Sequence, residues 1–253
     1  MKLLSDTGLL FGRYLGLTLR NPVWLVVNVS QPLFFLVLFG PLLRPLAGTP
    51  GFPAGEPFNV FVPGLLVQLA LFGTAFAGFS LIGEVRHGVI ERMRVTPVSR
   101  MALLLGRALR DTLVLIVQAL ILVLCAVPFG LRVSPLGVAV VVGLLCPMGV
   151  LFASLSYALA LRLRSEDALA ATLNTVTMPL LLLSGILLPL SLAPAWLRAL
   201  AAANPLSYAV AAARALFNEQ LGDPSIPRAV AILGLLAAAA LLMAAREFRR
   251  AAA

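Results

Sequence analysis

The stretch Leu136-Gly-Val-Ala-Val-Val-Val-Gly-Leu-Leu-Cys-Pro-Met-Gly-Val-Leu-Phe-Ala-Ser-Leu-Ser-Tyr-Ala-Leu-Ala-Leu161 decides how this chain is read. Its 26 residues include no Asp, Glu, Lys, Arg or His. A helix on the surface of a soluble core keeps a polar face, and this stretch has none. A bilayer core about 30 Å thick is crossed by about 20 helical residues. The stretch therefore reads as a membrane span. Comparable apolar runs lie at 23–43, 60–82, 111–129, 168–190 and 228–245. Together they predict an all-α integral membrane protein, one transmembrane domain over 1–253 with six transmembrane helices. An even number of crossings returns both termini to the same side.

Composition and charge point the same way. Of 253 residues, 61% are hydrophobic and 11% charged, against about 25% charged in soluble domains. The net charge of +9 could suit nucleic acid, but that partner needs its Lys and Arg on polar, soluble segments. Here they fill short gaps between apolar runs, which indicates membrane lipid and not nucleic acid. Lys2, Arg13, Arg20, Arg86, Arg92, Arg94, Arg100, Arg107, Arg110, Arg162, Arg164, Arg246, Arg249 and Arg250 fall on one face. Only Arg44, Arg132, Arg198, Arg214 and Arg228 fall on the other. By the positive-inside rule the first face is cytoplasmic, with N-terminus and C-terminus inside. Arg-rich usage with abundant Ala, Gly and Pro suggests a GC-rich bacterial genome and a bacterial inner membrane.

Three stretches outside the spans carry further information. Residues 1–22 are too broken by charge and Gly to cross. Asp6, Arg13 and Arg20 recur every seven residues on one helical stripe, predicting an amphipathic helix at the cytoplasmic interface that ends at Asn21-Pro22. In the connection 83–110, Glu84, His87, Glu91 and Arg94 follow helical spacing, opposite Val85, Val89 and Met93. Thr96-Pro97 stops that helix, and Ser99 is placed to cap the next. In 183–227, the breakers Ser184-Gly185, Pro189, Pro194, Asn204-Pro205 and Asp223-Pro224 separate apolar helices too short to span. These predict an external re-entrant region over 191–227.

Much chemistry is excluded. A phosphate-binding P-loop needs a Lys, and the only one is Lys2. A single histidine, His87, forbids a His-based triad or multi-His metal site within the membrane. Cys125 and Cys146 lack a CxxC neighbour and read as small apolar packing residues. All ten carboxylates fall in or beside the predicted loops, with Asp111 nearest a span. Ion-coupled carriers usually keep acids within their spans, so the energy must enter from outside. Asn28, Gln31, Gln68, Asn174 and Thr175 are the polar span residues proposed to line a substrate path. An ATP-independent channel or carrier is the alternative reading.

Four stretches resemble the type-2 ABC exporter permeases, particularly their daunorubicin-resistance-like branch. They are Arg20-Asn-Pro-Val-Trp24 followed by Gln31-Pro32 and Phe39-Gly40, then Glu84 through Arg100. Next come Ser184-Gly-Ile-Leu-Leu-Pro189 with Pro194-Ala-Trp-Leu197, and Asn204-Pro-Leu-Ser-Tyr208 with Arg214. The chain departs from that pattern at His87-Gly88, where relatives carry a Glu-rich stretch. The resemblance implies a permease that forms the membrane path for an amphiphilic drug, lipid or glycolipid. It pairs with a second permease, identical or paralogous, and with two copies of an ABC ATPase that bind ATP and Mg. It further implies that Glu84, Arg86, His87, Glu91, Arg92, Arg94, Thr96 and Pro97 form the segment docking on the ATPase.

Overall fold

Polar side chains at the starts of apolar runs set the helix boundaries. The Ser99 hydroxyl accepts the Ala102 amide at 3.1 Å, Ser134 that of Gly137 at 3.1 Å, and Ser165 that of Ala168 at 3.4 Å. The Asn204 side chain accepts the Leu206 amide at 3.0 Å. Each satisfies a backbone donor that a helix leaves open in its first turn. The computed structural model describes residues 2–21, 23–43, 45, 57–88, 99–186 and 190–251.

The helices are α1 (Lys2–Arg20), α2 (Val23–Leu43), α3 (Pro57–Ala75), α4 (Gly78–Arg86) and α5 (Arg100–Ala126). They continue with α6 (Pro135–Leu163), α7 (Glu166–Leu182), α8 (Ala195–Ala201), α9 (Pro205–Phe217) and α10 (Ser225–Ala251). Short 3-10 turns occupy Val127–Phe129 and Leu190–Leu192, and the described residues contain no strand. Among the described residues, four helical segments are long and apolar enough to cross a membrane: Pro57–Arg86, Met101–Phe129, Pro135–Leu163 and Ser225–Arg250. The apolar part of α2, Val26–Leu42, is shorter. The run expected to span at 168–190 instead ends as a helix at Leu182, after 17 residues. At 1.5 Å per residue that is about 25 Å of helix.

The run expected at 60–82 is likewise two helices, α3 and α4, with a turn at Phe76-Ala77. The turn frees the Gly78 amide, and the Ser156 hydroxyl of α6 takes it up at 2.9 Å. This buried serine lets the chain bend without an unpaired donor.

Apolar lipid gives helices little hydrophobic reason to associate, so close packing and interhelical hydrogen bonds hold such a bundle. On α10, Ala229, Leu233, Ala237, Ala240, Ala244 and Phe248 are buried. Their spacing of three and four makes one stripe of mainly small residues, along which α10 lies against α6. The interior divides into two apolar clusters. The larger gathers α2, α3, α5, α6, α9 and α10 around α3, nearly all of which is buried. The smaller gathers α1, α4 and the adjoining parts of α5, α6, α7 and α10 around Leu10, Leu81, Leu104, Tyr157 and Phe248. We call the region of the second cluster the basic end and that of α8 and α9 the cap.

Candidate functional site

At the basic end, charge lies inside the bundle where the sequence led us to expect a cytoplasmic connection. Arg107 and Asp111 are one helical turn apart and share a face of α5. The Arg107 side chain is 0% exposed, so its charge needs a partner. Its Nη2 donates to Glu84 Oε2 on α4. Its guanidinium also lies over the Tyr14 ring of α1, 4.5 Å from the centroid, in cation–π geometry. The Tyr14 hydroxyl makes no hydrogen bond of ordinary geometry, so the contact runs mainly through the ring. Burial raises the Tyr14 phenol above its ordinary value and keeps it neutral. A Cβ added to Gly106 would come within 2.9 Å of Leu10 Cβ and 3.1 Å of the Phe11 amide nitrogen. Only glycine lets α1 approach α5 this closely.

One turn further along α5, Asp111 accepts the hydroxyl proton of Tyr157 from α6 and pairs with Arg110 at 3.0 Å. The segment Arg107–Asp111 thus joins α1, α4 and α6. Two further pairs lie at the basic end: Arg86 with Glu166 at 3.3 Å, both exposed, linking α4 to α7, and exposed Arg162 with the partly buried Glu247 at 3.1 Å, linking α6 to α10. Water screens such pairs, and each contributes at most about 1 kcal/mol.

Two sequence expectations change here. Glu84 and Asp111 lie within helices and are largely withdrawn from solvent, although the carboxylates were expected in or beside loops. Nor does one helix run from Glu84 to Arg94. α4 stops at Arg86, and Gly88 follows at φ +65°, where a side chain would be strained. Before it, the His87 and Gly88 amides donate back to Gly83 and Val85. The His87 ring nitrogen lies 2.6 Å from the Gly83 carbonyl oxygen. Glu91, Arg92, Arg94, Thr96 and Pro97 lie outside the described residues. Asp6, Arg13 and Arg20 sit on α1, where Arg13 and Arg20 are exposed.

The five path candidates do not converge on one spot. Asn28 is half-buried and Gln31 exposed on α2, while Asn174 and Thr175 are exposed on α7. The Thr175 hydroxyl turns back to the Ala171 carbonyl at 2.8 Å. Gln68 is buried among helices, with its Oε1 unpaired.

The cap is built differently. Arg214 on α9 donates to the carbonyls of Val60 at 2.9 Å, Gly185 at 2.7 Å and Ile186 at 3.4 Å. Burial lowers its pKa to about 10, so it still carries its charge at neutral pH. The Asn59 amide donates to Arg132 at 2.7 Å and Phe217 at 3.0 Å, and that of Asn204 to Leu180 at 2.7 Å. These bonds fix the turn after α7 against α3 and α9.

The ABC-2 type transporter family model matches residues 6–218, a stretch that includes Tyr14, Glu84, Arg107, Asp111 and Tyr157 as well as the cap. The chain belongs to the ABC-2 type transporter family. It is 31% identical over 204 residues to a daunorubicin resistance ABC transporter permease protein of Streptomyces coeruleorubidus, covering 79% of this chain and 71% of that one. A protein of Cyanophora paradoxa named as a transport permease, ycf38, is 28% identical over 201 residues, covering 79% and 69%. A protein of Mycobacterium tuberculosis named as a doxorubicin resistance ABC transporter permease is 24% identical over 231 residues, covering 90% and 82%. This ABC-2 permease is the multi-pass membrane subunit of an ABC exporter. Membership implies an ABC ATPase as its partner.

The sequence reading missed Tyr14, Arg107, Asp111 and Tyr157 as parts of a site. One signal was available: Arg107, Arg110 and Asp111 interrupt the apolar residues leading into a span, and ionisable groups there need partners. The partners themselves were hidden, because Glu84 and Tyr157 lie 23 and 46 residues away from Arg107 and Asp111.

Proposed function

We propose that two copies of this permease, or this chain with a paralogue, enclose a path for an amphiphilic substrate, and that two ABC ATPase subunits drive it. The observation that supports the path is polar exposure among apolar groups on two helices: Gln31 with Phe34 and Leu38 on α2, and Asn174 and Thr175 with Val176, Met178 and Leu182 on α7. A surface of amides and hydroxyls among apolar groups suits a molecule with polar and apolar parts. The names of two relatives, which mention daunorubicin and doxorubicin, make anthracyclines the first substrates to try.

In this reading α2 and α7 also cross the bilayer, for six spans with both termini cytoplasmic and the basic end facing the cytoplasm of a bacterial inner membrane. α8 and α9 form the external re-entrant region. The chain has no ATP site of its own; ATP and Mg bind the ATPase. The segment after Gly88, with Glu91, Arg92, Arg94, Thr96 and Pro97, docks on that ATPase. Force reaches the bundle through α4 and α1. ATP can drive the change only through a difference in binding free energy between inward and outward states.

The test is purification of the tagged permease in mild detergent, followed by reconstitution with whatever co-purifies. An ATPase in near-equal amount and ATP-dependent doxorubicin uptake into inside-out vesicles are the expected results. Equal uptake by vesicles holding the permease alone would overturn the reading.

A further inference from the structure

The basic end holds a cation with no access to water, and its position gives it a task. Arg107 is 0% exposed, whereas its partner Glu84 is 23% exposed. Glu84 lies near the end of α4, four residues before the positive-φ Gly88. Tyr14, the other partner, is on α1, the helix pressed onto α5 at Gly106. One guanidinium is therefore held between two helices that share no span, one of which leads directly into the segment after Gly88.

We propose that Arg107 is a positioning residue that clamps α1 to the end of α4. Movement of the segment after Gly88 then displaces α1 with α4 as one body. This inference rests on the permease reading only for what drives the movement; the clamp itself is a property of this chain. Two features make it specific. The grip on α1 is mainly the face of an aromatic ring, so it depends on a cation and a ring more than on the Tyr14 hydroxyl. The grip on α4 is an ion pair, which fixes direction as well as distance. A leucine at position 107 could fill the space but hold neither partner in register.

Asymmetric exposure makes Arg107 the better residue to change. Losing Glu84 strands a buried cation, while losing Arg107 leaves a carboxylate that already reaches water. Spin labels are placed on the full-length permease in lipid nanodiscs, after Cys125→Ala and Cys146→Ala. One pair, at Leu9 and Val85, reports α1 against α4. A control pair, at Leu163 and Arg249, reports α6 against α10. All four positions are exposed.

In Arg107→Gln the α1–α4 distance distribution is expected to broaden roughly twofold, as in a locally opened region, while the control pair keeps its width. Arg107→Lys restores much of the narrow distribution. Tyr14→Phe matches the parent and Tyr14→Leu broadens. With a third pair at Leu9 and Arg249, and with the co-purifying ATPase and ATP trapped before hydrolysis, the parent's α1 moves relative to α10 and that of Arg107→Gln does not. An α1–α4 distribution as narrow in Arg107→Gln and Tyr14→Leu as in the parent would overturn the clamp. So would equal broadening of both pairs, which means general loosening of the fold. Failure of the exporter reading would show separately, as a parent that does not respond to nucleotide while the clamp results stand.

Discussion

The cap and the basic end solve the same problem, a buried arginine, in opposite ways. Arg214 is held by backbone carbonyls of Val60, Gly185 and Ile186. Those acceptors belong to the fold and cannot move without remaking it. Arg107 is held by side chains, the Glu84 carboxylate and the Tyr14 ring, each carried on a different helix. A charge bound by carbonyls fixes a structure, whereas a charge bound by side chains from two other helices can pass a displacement on. Under the proposed function, in which energy enters from the basic end, the cap is the fixed part and the basic end the transmitting part.

The comparison can be broken or sharpened by substitution. The largest effect is expected from Glu84→Leu, which leaves the Arg107 cation buried without a counter-charge. Thermal unfolding in detergent should show a loss of about 4 kcal/mol, recovered in part by adding Arg107→Leu. If the second change brings no recovery, the pair is not the source of the cost. Next is Arg214→Met, which removes charge-assisted bonds from three carbonyls and should cost about 3 kcal/mol. Arg214→Lys should rescue it poorly, because one ammonium cannot reproduce the planar fork. A good rescue would mean that charge alone holds the cap. Asn59→Ala, losing bonds to Arg132 and Phe217, should cost about 2 kcal/mol. At the bottom, Arg86→Gln breaks an exposed pair with Glu166 and should change stability by less than about 1 kcal/mol. A larger loss would place that pair in the same class as Arg107–Glu84.

How much of this was legible in the sequence depends on the distance between interacting residues. Ser99 as a cap is a local signal, decided by an amide three residues on, and the structure has it there. The run 136–161 lies within α6, because lipid demands only length and apolarity. Gly88 was written in the sequence but passed over, since helical spacing through Glu84, His87, Glu91 and Arg94 looked continuous. The turn at Phe76-Ala77 had no such mark. It exists because Ser156, 78 residues from Gly78, accepts the freed amide. Arg107 and Asp111 were visible as charges but placed in or beside a loop, because nothing nearby in the chain reveals that Glu84, Tyr14 and Tyr157 surround them.

The most direct test is where the ATPase touches this chain. A photo-crosslinking residue would be placed in turn at Glu91, Arg94 and Thr96, and at Asn218 of the cap, in the co-purified complex. Crosslinks to the ATPase from the first three positions and none from Asn218 are the predicted result. An ATPase that co-purifies but crosslinks from none of the three would contradict the account, because force would then enter elsewhere than through the segment after Gly88.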